Sequence, residues 1–552
     1  VKEMTNSTTY RSNDNKMALF WMGLLLILLL RSFYFGITYF NYLDDYNTYG
    51  IFFRRNANIF NDIVRWYGLY TFRPIAFLSD AYITQWFWPV MWLVLLFYTV
   101  MHFFTVYIFH WILKKSSVRF GIFGIIIATL TPILIEAVYW IGASTRLVPG
   151  MFFSILSVFF LMKYLLSTES IFVKGVGRIH LILYFVFNII STGFYEQIIV
   201  FNFAFTLLII MLNYSFLRRR RKLIISVPFI STIAIGLFYI IFWNRGKVST
   251  RGTIASSMGS HFVNTTRGVV NLLTRRQYVA TRDSLVGFIF MDINIIQIFI
   301  LLLVIAFTIW LFVGFVKKSS SLLYREENKF TVRLIMGILL TILPFAPFYV
   351  LQNNHLSFRL IYPSIFGIAI VFDTILDLIS NIKISRLSFY FVKPAAALLI
   401  IPLFMANVGL LNDYRLIEKT DITIATNFLD AFRETGASDE AQIFLFDSQI
   451  LYTETATNHL ENVSSSDWAM LGIVNSTSRD YYFARILPVR EDETWIHQDM
   501  FENEVVYLGI NEDLEVFELT RRNNILFRNE AEWGRLEQIN DDFYMFTLSS
   551  RR

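Results

Sequence analysis

Apolar residues fall along this chain in long unbroken runs, separated by shorter polar and charged stretches. A run near 20 residues is the helix length needed to cross about 30 Å of hydrocarbon. Eleven runs predict membrane helices: 17–39, 86–111, 120–140, 148–166, 179–195, 197–216, 223–243, 295–316, 334–351, 360–379 and 395–411. Past residue 411 the pattern changes. QIFLFD, EVVYLGI, LEVFELT and FYMFTL are short alternating runs that predict strands. ATNFLDAFRETG predicts a helix stopping at Gly436. The chain therefore divides into a transmembrane module, residues 1–411, and a small α+β domain, residues 412–552. The first run lacks a small-residue cleavage site and many spans follow it, so it is expected to stay as an anchor.

Composition agrees. The 552 residues are 55% hydrophobic and 16% charged, against roughly 25% charged in a soluble domain. Such a chain has too few polar groups to cover a globular surface. The absence of cysteine excludes disulfides and thiolate metal sites. Abundant Ile, Phe and Asn match an AT-rich bacterial genome. The net charge of +6 gains meaning from its location. Lys16, Lys114, Lys115, Arg119, Lys174, Arg178, the run Arg218 to Lys222, Lys317, Lys318, Arg325, Lys329, Arg333, Lys383, Arg386 and Lys393 all fall on one side of the predicted spans. The positive-inside rule makes that side cytoplasmic. The expected fold is a multi-pass α-helical protein of the plasma membrane, N-terminus inside and C-terminal α+β domain outside.

Orientation gives the other charged residues their significance. Asp44 and Asp45, in YFNYLDDYNTYG, leave the first span on the outer face. The loop behind them holds NIFNDIVRWYGLYTFRP, whose apolar spacing predicts an amphipathic interfacial helix, and ends with Arg73, Pro74 and Asp80. Glu136 lies four residues inside the third run, where an ionisable group costs on the order of 3 kcal/mol. Arg146, in the next outer loop, is its candidate partner. Glu196 and Gln197 mark the tip of the hairpin between the fifth and sixth spans. The outer loop 244–292 is glycine-rich and basic, with Arg245, Lys247, Arg251, Arg267, Arg275, Arg276 and Arg282. It reads as a mobile clamp on a lipid phosphate, or as attraction to anionic headgroups. His355, Arg359 and Tyr362 open the tenth span. Each of these has a plain alternative, from a solvated loop to a snorkelling arginine.

Acids and cations on one outer face suit transfer of a sugar from a lipid phosphate. A carboxylate takes the acceptor proton, and fixed cations meet the charge on the leaving phosphate. Nucleic acid is a poor partner on that side of a membrane. No Walker, GxSxG, HExxH or Cys/His metal motif supports a rival chemistry.

The layout resembles the GT-C superfamily of membrane glycosyltransferases. NYLDDYNTYG is similar in placement to its acidic first-loop motif, and with TFRPIAFL it resembles bacterial Gtr-type glucosyltransferases. TPILIEAVYWIGASTR, GFYEQIIVF and FRLIYPSIFGIAI resemble segments of the O-mannosyltransferase-like branch. The resemblance covers the bundle to about Leu411. It implies a polyprenyl-phosphate sugar donor, and a catalytic base or metal ligand at Asp44 or Asp45. It also implies donor-phosphate binding by Arg359, to which the clamp reading of the basic loop adds Arg245, Lys247, Arg251, Arg275 and Arg276. Arg73, Glu136, Arg146, Glu196, Gln197, His355 and Tyr362 support that site. The need for a divalent cation, Mg or Mn, stays open. The histidine that follows the acidic pair in protein O-mannosyltransferases is missing, which favours a surface polysaccharide, teichoic acid or lipid as acceptor. The alternatives are a polysaccharide polymerase or ligase, a lipid-linked-glycan flippase or transporter, and a non-enzymatic scaffold for wall assembly.

Overall fold

A computed structural model of the protein describes residues 2–49, 53, 73–167, 174–213, 257–318, 330–350, 356–381, 397–447, 463, 466–478, 480–483, 485–490, 495–497, 505–511, 513–540 and 543–548. Two compact units make it up. The first comprises Val1–Tyr39, Asp62–Asp80 and Val90–Leu411; the second comprises Phe40–Asn61, Ala81–Pro89 and Asn412–Arg552.

The first unit is helical. Among the described residues, four helical stretches are long and apolar enough to cross a membrane: Ile75–Lys115, Ile141–Leu166, Ile295–Gly314 and Phe330–Val350. Met17–Ser32, Ile179–Thr192 and Glu196–Leu212 are shorter and apolar. Helix Ile295–Lys318 turns Ile295, Ile296, Phe299, Leu302 and Trp310 outward, a surface suited to hydrocarbon. The unit is compatible with a membrane protein. The expected span 223–243 and the interfacial helix at 58–72 lie outside the described residues.

Inside the bundle, polar side chains bond between helices. Asn202 Nδ2 donates to Ser157 Oγ at 3.3 Å and to Ser191 Oγ at 3.2 Å. Helices Phe330–Ile342 and Ile365–Asn381 cross at two glycines. A Cβ on Gly367 would collide with the backbone of Thr341 and Gly337, the close approach that small residues permit in membrane packing.

Three details differ from the sequence expectation. The run 120–140 is not one helix. Helix Ile122–Leu130 stops at Thr131, which is extended, and Pro132 starts a 3-10 turn, Pro132–Leu134, before the short helix Ile135–Val138. Proline lacks the N–H the helix needs and pushes the preceding residue out of the α region. From residue 258 the basic loop is helical: Met258–Asn271, a π turn Leu272–Arg276, then Gln277–Ile289. Thr265, Val269, Leu272, Ala280, Ser284 and Phe288 are its buried positions. Their spacing marks a helix face, which outweighs the roughly 1 kcal/mol that each of Gly259 and Gly268 costs. Arg359 sits in a 3-10 turn, Phe358–Ile361, ahead of helix Ile365–Asn381 rather than one turn inside it.

The second unit is α and β. Helix Ile400–Thr435 contributes its residues from Asn412 onward and ends at Gly436, whose φ of +65° is readily adopted without a side chain. Strands β1 (Gln442–Asp447), β2 (Ile486–Arg490), β3 (Trp495–His497), β4 (Val505–Ile510), β5 (Val516–Glu518), β6 (Thr520–Arg522), β7 (Ile525–Arg528), β8 (Ala531–Asn540) and β9 (Phe543–Leu548) form two sheets. One runs β2-β1-β4-β5, with β1 parallel to both β2 and β4; the other runs β3-β9-β8-β7-β6 and is antiparallel. Alternation along β1 explains its all-apolar core. Ile443 and Leu445 pack with Phe428, Phe432 and Ile473, while Phe444 and Phe446 pack with Leu526, Leu536 and Phe546. A strand buried on both faces reads as continuously hydrophobic.

Candidate functional site

The acidic pair belongs to the second unit. Asp44 and Asp45 open a five-residue helix, Asp44–Thr48, that packs on helix Asp467–Thr477. Gly472 makes this possible, because a Cβ there would lie 2.6 Å from the Tyr46 carbonyl carbon. Tyr46 joins the core with Ile424, Phe428 and Ile473. The two carboxylates differ. Asp45 is 1% exposed, and its Oδ2 accepts the Tyr42 N–H at 2.9 Å, which closes its own turn. Asp44 is half-buried and has no hydrogen-bond or ion-pair partner among the described residues. Leu43, just before it, takes φ +32°. Backbone held in such a region costs of order 1–3 kcal/mol and concentrates at functional sites.

Buried acids from helix Ile400–Thr435 surround this turn. Glu418 Oε1 accepts the Asn41 N–H at 2.8 Å and its Nδ2 at 3.0 Å; Asp421 Oδ1 accepts the Val463 N–H at 2.9 Å. Burial pushes Asp421 well above the usual carboxylate range, with the Glu418 charge reinforcing it and the Val463 bond opposing. Burial also raises Glu418, against its Asn41 bonds, and lifts Asp413 to about 7. The Tyr46 hydroxyl is pushed up by burial and by Asp421, Glu418 and Asp45. An acid whose folded pKa exceeds its unfolded value stabilises the fold fully below the unfolded pKa, and that contribution fades as pH rises through the folded one. The second unit is therefore expected to lose thermal stability from pH 5 to pH 8. Asp421→Asn keeps an acceptor for Val463 and flattens that slope, raising the melting temperature at pH 8 by at least about 3 °C, roughly the effect of 1 kcal/mol in a domain of this size. Hydrogen exchange of peptides covering β1 and β4 during heating measures it. A stability that rises with pH, or an unchanged slope in the variant, contradicts the assignment.

Other expected site residues gather within the first unit. Arg73 grips Glu196 with both arms, Nε to Oε1 at 3.0 Å and Nη2 to Oε2 at 2.9 Å, and stacks 3.9 Å above the Tyr195 ring. The N–H groups of Ile75 and Ala76 donate to the Gly193 carbonyl at 3.1 and 3.3 Å, so the start of helix Pro74–Phe87 is tied to the hairpin carrying Glu196. Arg146 Nε donates to Asp80 Oδ2 at 3.0 Å, and the Thr145 hydroxyl donates to the other oxygen. The Arg146 charge is felt at Arg73, so the two pairs are neighbours. Glu136 is buried in the short helix after the proline break. Gln197 Nε2 donates to the Leu360 carbonyl at 3.2 Å, which ties the same hairpin to the turn carrying Arg359. The Arg359 guanidinium lies 4.9 Å from the Trp140 ring centroid and has no carboxylate partner among the described residues. Tyr362 is buried, its hydroxyl 3.0 Å from His102 Nδ1.

These pairings sort the arginines. Arg73 and Arg146 already hold carboxylates, so they position the site. Arg276 donates from Nη1 to the Leu356 carbonyl at 2.7 Å and lies 5.2 Å from the Phe358 ring, which steadies the approach to Arg359. Arg275 is exposed. Arg245, Lys247, Arg251 and His355 lie outside the described residues. The sequence reading offered Glu136 as partner for Arg146; the ion pair described here runs to Asp80, 66 residues away. Trp140, Tyr195 and Thr145 were not singled out, and no spacing rule links them to their partners. Among the described residues no group of three or more His, Asp or Glu side chains could hold a metal ion.

The first unit is helical, compatible with a membrane protein, and pairs charges from segments far apart in sequence. No protein-family model matches the chain, and neither a curated protein nor a solved structure matches it.

Proposed function

We propose that the protein is a GT-C-type glycosyltransferase that moves a sugar from a polyprenyl-phosphate donor to an extracytoplasmic acceptor, either a surface polysaccharide, a teichoic acid or a lipid. In this reading the remaining apolar runs bring the bundle to about eleven spans. The observation that carries the reading is Arg359, a guanidinium held over Trp140, with no carboxylate among the described residues, beside a segment that also buries Glu136. Such a group takes phosphate oxygens in a planar fork. In the transfer step an acceptor hydroxyl attacks the anomeric carbon and forms the new carbon–oxygen bond. The bond from that carbon to the donor phosphate breaks, and its electron pair leaves on the phosphate, facing Arg359. A carboxylate base takes the hydroxyl proton; the sequence reading gives that role to the acidic pair, of which Asp44 is the member without a bonded partner among the described residues. Asp45 is committed to its own turn and supports the backbone that presents Asp44.

The test is donor binding. Arg359→Ala removes charge-assisted hydrogen bonds worth about 1.5–3 kcal/mol, so affinity for a polyprenyl-phosphate sugar is expected to fall roughly tenfold to a hundredfold. Titration of the purified protein in lipid nanodiscs measures it, and unchanged affinity removes Arg359 from this role.

A further inference from the structure

Residues 258–289 are pinned to the helical unit along one side, and that leaves the other side to be explained. His261 Nε2 donates to the Phe348 carbonyl at 3.1 Å, and Arg276 donates to the Leu356 carbonyl. Gly409 lets helix Ile400–Thr435 pass directly against the Ser284 carbonyl. Ala280, Ser284 and Phe288 are buried, so these anchors fix which way the segment is turned. Arg275, Tyr278, Arg282, Val286 and Ile289 recur every three or four residues and share the opposite face. All are exposed, Tyr278 at 67% and Ile289 at 61%.

Two observations name what covers this stripe. The first is continuity. Its apolar end runs into exposed Phe290, then into Ile295 and Ile296, where helix Ile295–Lys318 turns apolar side chains outward. That helix is long and apolar enough to cross a membrane. The second is charge. Residues 258–289 carry Arg267, Arg275, Arg276 and Arg282 against a single acid, Asp283, and Asp283 pairs with Arg282. Arginine and tyrosine alternating with aliphatic residues suit the border between headgroups and acyl chains. There the arginine stem lies along apolar surface while its guanidinium reaches phosphate. A second copy of the chain docking through the same stripe would set arginines against arginines.

We propose that the stripe from Arg275 to Ile289 is a membrane-docking surface that lies in the lipid interface and selects anionic phospholipid headgroups. Arg275 and Arg282 meet the headgroup phosphates, Tyr278 sits at their level, and Val286 and Ile289 enter the acyl border. This assigns Arg275 to the lipid surface rather than to a sugar donor. The proposal does not depend on sugar transfer.

The chain has no cysteine, so Val286→Cys gives a single attachment point for a fluorescent label. The full chain carrying it is placed in nanodiscs of phosphatidylcholine and phosphatidylglycerol, without any donor lipid. A nitroxide quencher rides on one lipid or the other at equal mole fraction. The nitroxide is expected to quench the label, and aqueous iodide is not. Nitroxide on phosphatidylglycerol is expected to be at least about fivefold more effective than on phosphatidylcholine, the factor one arginine contributes near an anionic surface. Arg275→Gln combined with Arg282→Gln, both at exposed positions, is expected to keep the lipid-phase quenching and lose the preference. Quenching by iodide in place of lipid overturns the proposal. Protection from both quenchers also overturns it, because a protein partner then covers the stripe. So does equal quenching by the two lipids, or a preference undiminished in the double variant. A chain inactive in sugar transfer that keeps the preference removes the glycosyltransferase reading alone.

Discussion

Asp44→Asn is expected to cut sugar transfer at least a hundredfold and leave the chain folded. General-base catalysis by a positioned carboxylate contributes typically 10²–10⁴-fold, and an amide of the same shape cannot take the proton. Asp44 is half-buried and makes no hydrogen bond or ion pair among the described residues, so the substitution breaks no contact there. Asp45→Asn should behave in the opposite way. The Asp45 carboxylate is buried and accepts the Tyr42 N–H, so the loss falls on stability by about 1 kcal/mol, the scale of one hydrogen bond, and turnover follows the folded fraction. Turnover and melting temperature measured side by side separate the two. Full turnover in Asp44→Asn would exclude it as the base.

Arg333→Met is expected to destabilise the first unit by about 3–5 kcal/mol, the cost of removing one partner from a buried ion pair. Arg333 is 1% exposed and bridges two carboxylates, Nη1 to Asp377 Oδ2 at 2.8 Å and Nη2 to Asp373 Oδ2 at 2.7 Å. Arg119 reaches Asp377 Oδ1 at 3.3 Å, and Asp373 also accepts the Gly121 and Gly124 N–H groups at 2.8 and 3.3 Å. Without Arg333, two acids stay buried with too little positive charge. Arg333→Lys keeps the charge but not the fork that spans both acids, so an intermediate loss is expected. Combining Arg333→Met with Asp373→Asn and Asp377→Asn removes all three buried charges and should restore most of the stability. Thermal unfolding in detergent reads each variant. A loss under about 1 kcal/mol in Arg333→Met would show that the cluster is solvated after all.

Local features of the sequence translated well where the chemistry is local. The apolar lengths announced membrane-type helices, FYMFTL and QIFLFD announced strands β9 and β1, and Gly436 marked a helix end. Pro132 was visible in the third run, yet hydropathy averages over a window and passes straight through it. The helices in 258–289 were hidden by their glycines and arginines, although buried positions recur every three to four residues over 265–272 and every four over 280–288. Arg333 was read only as one more basic residue beside a membrane span. Its partners Asp373 and Asp377 went unnoticed because a carboxylate near a helix end is ordinary until an arginine 40 or 44 residues away closes on it.

By itself the sequence determined many of the helices and strands, though not the helices in 258–289 or the break at Pro132, and that several helices suit a membrane, because those properties arise between residues a few positions apart. It also singled out Asp44, Asp45 and Arg359 as charges needing an explanation. Tertiary structure alone decided that Asp45 closes a turn while Asp44 has no bonded partner among the described residues, and that Arg146 meets Asp80 and Arg73 meets Glu196. Charge pairing acts through space, and chain separations of 66 and 123 residues leave no trace in local spacing.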